Sequence, residues 1–151
     1  MEIKKLQKND APAFQSLIEI FKEVFEHDEE PASTEQLEKL LQNEDFMVFG
    51  VFLNGEIIGG LTIYVLHRYY QAKPIAYIYD VGIQPEHQGK GYGKALMAEV
   101  CEYCKKNGFE DAYVEAESDD MDAVEFYRKT AFTHELKATH FTYSFQHQEV
   151  K

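Results

Sequence analysis

The feature that most constrains this chain is a nine-residue run, Ile75 to Ile83, "IAYIYDVGI", followed closely by Gly89, Gly91 and Gly93 and then by a helical pattern. Strand alternation sets Ile75, Tyr77, Tyr79, Val81 and Ile83 on one face and Ala76, Ile78, Asp80 and Gly82 on the other. Both faces are mostly apolar, which places the run in the middle of a sheet with a layer on each side. From Gly91 onward, Leu96, Met97, Val100, Cys101 and Cys104 form an apolar stripe at helical spacing that stops before Asn107-Gly108. Glycines between a strand and a helix let the backbone come close to a ligand, and the unpaired amides of a helix start favour an anion such as phosphate. The segment "QGKGYGK" has neither Walker-loop nor dinucleotide-fingerprint spacing. By spacing alone, a glycine-rich turn without a ligand is the other reading.

The remaining elements fit around this unit. A short strand is expected at Glu2 to Leu6. Phe14, Leu17, Ile18, Phe21, Val24 and Phe25 define one face of a first helix, opened by Asp10 and Pro12, and Ser33 with Gln36 has capping-box spacing for a second. Two β-rich runs joined at Asn54-Gly55 predict a hairpin. After the glycine-loop helix come a strand in "DAYVEAE", a short helix in "DDMDAVEFYRKTAF" and a last strand in "KATHFTYSFQ", where Phe141, Tyr143 and Phe145 alternate with polar residues. The order β-α-α-β-β-β-α-β-α-β describes a mixed α/β (α+β) domain with a mostly antiparallel sheet flanked by helices and one strand-helix-strand crossover.

At 151 residues, 44% of them apolar, the chain can bury a core of its own, and a single domain over residues 1–151 is expected. Its strongest apolar run, Phe46 to Leu53, is far shorter than the roughly 20 residues of a membrane span, and the polar start lacks a signal-peptide core. A cytoplasmic protein without a membrane partner is expected. Fifteen Lys and Arg against 27 Asp and Glu give a net charge of −12, which repels phosphate backbones and argues against nucleic acid as a partner. The acidity lies in the flanks, while Phe46 to Lys105 carries five basic and five acidic residues, so an anionic ligand meets least opposition at the glycine loop. Acidic flanks suit a cationic second ligand, or serve only for solubility. The two cysteines of "CEYC" lie within the helical stripe and read as packing residues in a reducing compartment; the histidines lack ligand spacing, so no metal is expected.

Gln88-Gly89-Lys90-Gly91-Tyr92-Gly93 resembles the Q/R-x-x-G-x-G/A loop of the GNAT superfamily of N-acetyltransferases, and "DVGIQPEH" precedes it as the corresponding strand end does there. The resemblance implies the GNAT acyltransferase fold and acetyl-coenzyme A as cosubstrate. It implies pyrophosphate contacts from Gln88, Gly89, Lys90, Gly91, Tyr92, Gly93 and Lys94, with the pantetheine arm along Val81, Gly82 and Ile83. A narrower similarity, in the stretch from "YVLHRYYQ" through "YIYDVG" and in "EAESDDMDAVEFYRKTAF", is to aminoglycoside 3-N-acetyltransferases. One departure is Ala131, where the wider pattern has Gly after the helix.

Acetyl transfer to an amine needs an unprotonated nucleophile, a polarised thioester carbonyl and a proton for the departing thiolate. Asp80 is the candidate proton acceptor or ammonium anchor, since a carboxylate among apolar neighbours is costly without a role; a structural partner for a tyrosine or amide is the alternative. Glu115 shares a strand face with Tyr113 and either faces the same cleft or faces solvent. Tyr127 occupies the position where many members of the resembled family have a tyrosine that protonates the thiolate; a core aromatic is its other reading. A backbone amide at or near Gly82, freed by a bulge, would polarise the carbonyl. The loop acids Glu26, Asp28, Glu29 and Glu30 either attract a polyamine-like acceptor or form a solvated charge run. Together these imply an N-acetyltransferase acting by direct attack on a small polycationic amine, aminoglycoside-like. A polyamine, amino acid or protein amine as acceptor, a non-catalytic coenzyme A-binding module and a homodimer stay open.

Overall fold

The computed structural model describes residues 1–146 and resolves two compact units, Met1–Ala116 and the residues from Glu117 onward. The first unit contains β1 (Glu2–Lys5), α1 (Ala11–Val24), α2 (Thr34–Gln42), β2 (Phe46–Leu53), β3 (Glu56–Leu66), β4 (Ile75–Ile83), α3 (Tyr92–Lys106) and β5 (Asp111–Val114). Its five strands form one sheet in the order β1-β2-β3-β4-β5. Every pairing is antiparallel except β4 with β5, which is parallel because α3 carries the chain back over the sheet between them.

Local chemistry explains the boundaries. Asn54 and Gly55 both adopt positive φ, 51° and 82°, as a two-residue hairpin turn compatible with strand twist requires. The Ser33 hydroxyl accepts a hydrogen bond from the Gln36 amide at 3.2 Å and caps α2. Asp10 precedes α1, but its carboxylate accepts from the Gln7 amide at 2.7 Å rather than from the helix. Gly108, at φ 82°, ends α3, and the next amide, Phe109, returns to the Cys104 carbonyl at 3.1 Å.

The sheet is buried on both faces. On one, Phe14, Leu17 and Phe21 of α1 and Leu37 of α2 join Phe46, Val48 and Phe52 of β2 in a single cluster with Leu6. On the other, Phe49 of β2 meets Tyr103 of α3 edge-on at 5.1 Å, and Leu96, Met97, Val100 and Cys104 of α3 are buried. Each fully buried aliphatic side chain contributes about 1.5–3 kcal/mol of transfer free energy, so the α1 and α3 stripes are what attach these helices to the sheet. Cys101 does not share this burial: it is exposed, whereas Cys104 is buried, and both thiols are free.

In the second unit, α4 (Met121–Arg128) is capped by Asp120, whose carboxylate accepts from the Ala123 amide at 3.2 Å. Arg128 makes a two-point contact with Glu135 at 3.0 and 2.8 Å. The expected last strand is absent from the described part of "KATHFTYSFQ", residues 137–146, which is exposed and carries no regular structure. Alternation supplied one apolar face there, but a strand exists only where a neighbouring backbone takes up its amides and carbonyls, and no ladder includes these residues. Phe141, Tyr143 and Phe145 are 75–80% exposed. The β5 strand is also shorter than "DAYVEAE", ending at Val114. No helix among the described residues is long and apolar enough to cross a membrane.

Gly60 of β3 has no room for a side chain: an added Cβ would lie 2.3 Å from the Phe49 carbonyl oxygen and 3.1 Å from Leu17. Gly60→Ala is expected to destabilise the fold by at least about 3 kcal/mol, whereas Gly55→Ala, in open space but at positive φ, costs about 1 kcal/mol. Urea unfolding checks the order; equal losses would mean that the strand relaxes around the new methyl.

Candidate functional site

Strand β4 pairs with β3 from Ile75 to Ile83, but its ladder with β5 covers only Ile75–Ile78 against Asp111–Val114. Among the described residues, Tyr79 to Ile83 therefore has a strand neighbour on one side only. An edge left open in the middle of a sheet presents amides and carbonyls to any extended chain that can bind there.

The β3–β4 register shifts at the same place. Leu61 pairs with Val81 and Ile63 with Ile78, so Tyr79 and Asp80 stand together opposite Thr62. This bulge delivers the Asp80 amide to the Thr62 hydroxyl at 3.3 Å. It also corrects the simple alternation. The extra residue brings Asp80 and Gly82 onto the α1 side: a Cβ on Gly82 would meet the Phe21 ring at 3.0 Å and Val24 at 3.7 Å. Asp80 is half-buried, and burial pushes its carboxyl above the usual carboxylate range, with His27 after α1 pulling in the opposite direction. Burial, then the neighbouring Tyr79 and Asp80, raises the phenol of Tyr64 on β3. A carboxylate raised in this way, beside an opened strand edge, is suited to take a proton or to hold an ammonium group.

Beyond β4 the chain makes a 3-10 turn over Pro85–His87 and enters the glycine loop. Gly89 and Gly91 have φ of 76° and 89°, and Gly91 is the left-handed residue immediately before α3. A Cβ on either would touch nothing within 4 Å, so these glycines answer to backbone conformation and leave open space in front of the helix start. The Gly91 carbonyl already serves the Ala95 amide at 3.0 Å. The earlier amides of the first turn, on Tyr92, Gly93 and Lys94, precede the first helical hydrogen bond and can turn to an anion. Lys90 and Lys94 add positive charge to the same stretch.

Gln88 is placed differently from its neighbours. Its side-chain amide donates to the Ile83 carbonyl at 2.9 Å, tying the loop to the end of β4. The His87 ring lies edge-on to Tyr92 at 6.2 Å. The open edge at Val81, Gly82 and Ile83 and the amides of the loop are thereby held as one continuous track.

Glu115, just after β5, is exposed, and its carboxylate accepts the Tyr77 hydroxyl at 3.0 Å. Burial, then this bond, pushes the Tyr77 phenol up to about 12. Sequence reading assigned Glu115 a face but missed Tyr77 as its partner; the parallel register that sets Tyr77 beside Tyr113 is invisible before the crossover is known. Of the acidic loop, Glu30 is engaged by Lys22 at 3.1 Å, which raises the Lys22 ammonium above its ordinary range. Tyr127 lies in the second unit, on α4, half-buried with its ring edge-on to Phe126 at 5.0 Å. The Cys104 thiol is pushed up to about 11, first by burial, and partial desolvation raises that of the more exposed Cys101, which suits neither for nucleophilic attack.

Residues 14–132 match the Acetyltransferase (GNAT) family. Among solved structures, the chain is similar to an aminoglycoside acetyltransferase, meta-AAC0020, from an uncultured soil metagenomic sample. Identity is 40%, the TM-score is 0.93 and 96% of each chain is covered; that protein was crystallised with trehalose and with sisomicin. A curated relative, the aminoglycoside N(6')-acetyltransferase type 1 of Stenotrophomonas maltophilia, is 25% identical over 74% of this chain and 77% of its own. A mycothiol acetyltransferase of Saccharomonospora viridis is 35% identical over 40% of this chain, which spans only 20% of that protein. With the opened β4 edge, the bulge and the glycine loop at the start of α3, the family match over most of its length shows that this chain belongs to the GNAT family of acetyltransferases, enzymes that use acetyl-coenzyme A.

Proposed function

We propose that the chain transfers the acetyl group of acetyl-coenzyme A to a primary amine of a small polycationic acceptor, aminoglycoside-like, by direct attack. The observation that carries this reading is the placement of Asp80 at a bulge beside an open strand edge that leads straight into the glycine loop. The 40% identical relative with sisomicin bound supports the acceptor class. The family match crosses from the first unit into the second, which supports reading both as parts of one catalytic domain.

In this reading the pantetheine arm lies along Val81, Gly82 and Ile83, and the pyrophosphate meets the amides from Gly89 to Lys94, with Gln88 bracing the loop from behind. Asp80 takes the proton of the incoming ammonium, or holds a neighbouring ammonium while solvent takes it. The amine nitrogen then forms a bond to the thioester carbon, a strand amide near Gly82 stabilises the oxyanion, and the carbon–sulfur bond breaks. Tyr127 donates its phenolic proton to the departing thiolate, a transfer between groups of similar proton affinity, and recovers one from the attacking nitrogen, which sheds its second proton as the amide forms. Glu115 serves as a second anchor for a cationic acceptor. The curated aminoglycoside relative carries a 6' name, whereas the sequence resemblance is to 3-N enzymes, so product analysis of an acetylated aminoglycoside decides the position.

Gly91→Val forces a β-branched residue to φ 89° and is expected to weaken acetyl-coenzyme A binding by about tenfold or more. Calorimetry on wild type and variant checks it; equal affinities would remove the loop from the cofactor site. Tyr127→Phe should lower turnover by about 10²-fold at nearly unchanged cofactor affinity, because general-acid help is realised in the transition state. Unchanged single-turnover rates would make Tyr127 a packing residue. Asp80 must be ionised to act, so activity toward sisomicin should fall as pH drops through its raised pKa. In Asp80→Asn that acidic limb should disappear, with about 10²-fold lower kcat/KM at every salt concentration. Neutralising Glu26, Asp28 and Glu29 should act mainly at low salt, where exposed charges are least screened. An acceptor panel of sisomicin, spermidine, a neutral amino acid and a peptide tests the class: a clear preference for the last two would overturn the polycation reading.

A further inference from the structure

Four tyrosines meet on the sheet face that also carries Asp80. The β3–β4 register sets Tyr64 beside Tyr77, and the β4–β5 register sets Tyr77 beside Tyr113. Tyr79 stands edge-on to both Tyr64, at 5.4 Å and 88°, and Tyr77, at 5.8 Å and 90°, while Tyr77 and Tyr113 stack at 4.7 Å and 9°. Cross-strand aromatic pairs stabilise a sheet wherever they occur, but stabilisation alone would favour burying them. Here Tyr64 is 41% exposed, Tyr79 54% and Tyr113 39%. The array is therefore a contiguous aromatic surface in water, beside two carboxylates, one of them tied to the array by the Tyr77–Glu115 bond.

Such a surface is selective. The C–H face of a pyranose or cyclitol ring lies flat on an aromatic ring, and an ammonium group is attracted to the ring face. A flexible linear polyamine offers the charges but no ring face, and ordering it costs more rotamer entropy. The carboxylates supply charge complementarity: an ionised carboxylate has about four lone-pair sites, so Glu115 keeps accepting capacity beyond its one bond to Tyr77.

We propose that Tyr64, Tyr77, Tyr79 and Tyr113 form an acceptor platform for a six-membered amino-sugar ring, whose ammonium groups turn to Asp80 and Glu115. The platform rests on the acetyltransferase reading for its purpose and assigns the residues that recognise the ring of an aminoglycoside-like acceptor and disfavour a linear polycation. It makes Tyr79, the most exposed of the four and the one beside the bulge, the residue that sets acceptor preference.

The test uses the full chain with saturating acetyl-coenzyme A, comparing sisomicin with spermidine for wild type, Tyr79→Leu, Tyr64→Leu and Tyr79→Phe, each checked for folding by urea unfolding. In Tyr79→Leu the ratio of kcat/KM for sisomicin over spermidine should fall about tenfold, through KM, as expected for losing a ring contact of this strength. Tyr64→Leu should shift it in the same direction, and Tyr79→Phe, which keeps the ring, should restore it. An unchanged ratio, or an equal loss for both acceptors, overturns the platform while leaving the acetyltransferase reading intact. If wild type acetylates neither amine, the polycation reading of the proposed function fails and saturation-transfer NMR with sisomicin alone decides the platform. Saturation of the sugar-ring protons that is lost in Tyr79→Leu supports the platform, and no saturation in wild type overturns it.

Discussion

An antiparallel pair that gains one residue on one strand must bend there and change which face its later side chains occupy. Strand β4 does this where Tyr79 and Asp80 together oppose Thr62. The consequences converge. Asp80 moves to the α1 side, Gly82 comes under Phe21 of α1, and the parallel ladder to β5 ends one residue before the bulge, at Ile78 and Val114. A straight β4 would put the carboxylate on the α3 face.

The bulge is affordable because both neighbours make room for it. Gly82 has no side chain to collide with Phe21, and Gly59, where an added Cβ would lie 2.6 Å from the Gly82 carbonyl oxygen, lets β3 approach the shifted strand. The Thr62 hydroxyl accepts the Asp80 amide, so the displaced backbone donor is satisfied within a nearly dry part of the sheet. Gln88 then ties the loop back to β4 by its hydrogen bond to the Ile83 carbonyl, across the distance between the open edge and the start of α3. Cofactor arm and pyrophosphate, as read above, would need that distance to be constant.

Electrostatics divides the acidic chain into parts with different uses. Most of its carboxylates are exposed, and their fields fade over roughly 8 Å at physiological salt. Glu30 is engaged by Lys22 and Glu135 by Arg128. Asp80 differs because burial raises its carboxyl, and Glu115 because it is joined to Tyr77 in an aromatic layer. The acidic flanks left a cationic ligand and solubility alone both open; in the function proposed above, these two positions would hold the cation.

The sequence by itself determined the strand-loop-helix unit, the hairpin at Asn54-Gly55 and most of the apolar stripes of α1 and α3, because each rests on local periodicity or on a glycine whose φ only a turn or cap demands, and it pointed to the family through the resemblance carried by the Gln88–Gly93 loop. It also marked Asp80, since a carboxylate inside an apolar run is conspicuous in one dimension. It misjudged the side on which Asp80 stands and a last strand over residues 137–146, since a bulge and a ladder both depend on a second strand that periodicity cannot see. The Tyr77–Glu115 bond and the four-tyrosine array span 38 and 49 residues of sequence and were decided only by register. Sequence specifies which side chains a strand can offer, and tertiary pairing decides which of them meet, because one residue of shift moves every later side chain to the opposite face.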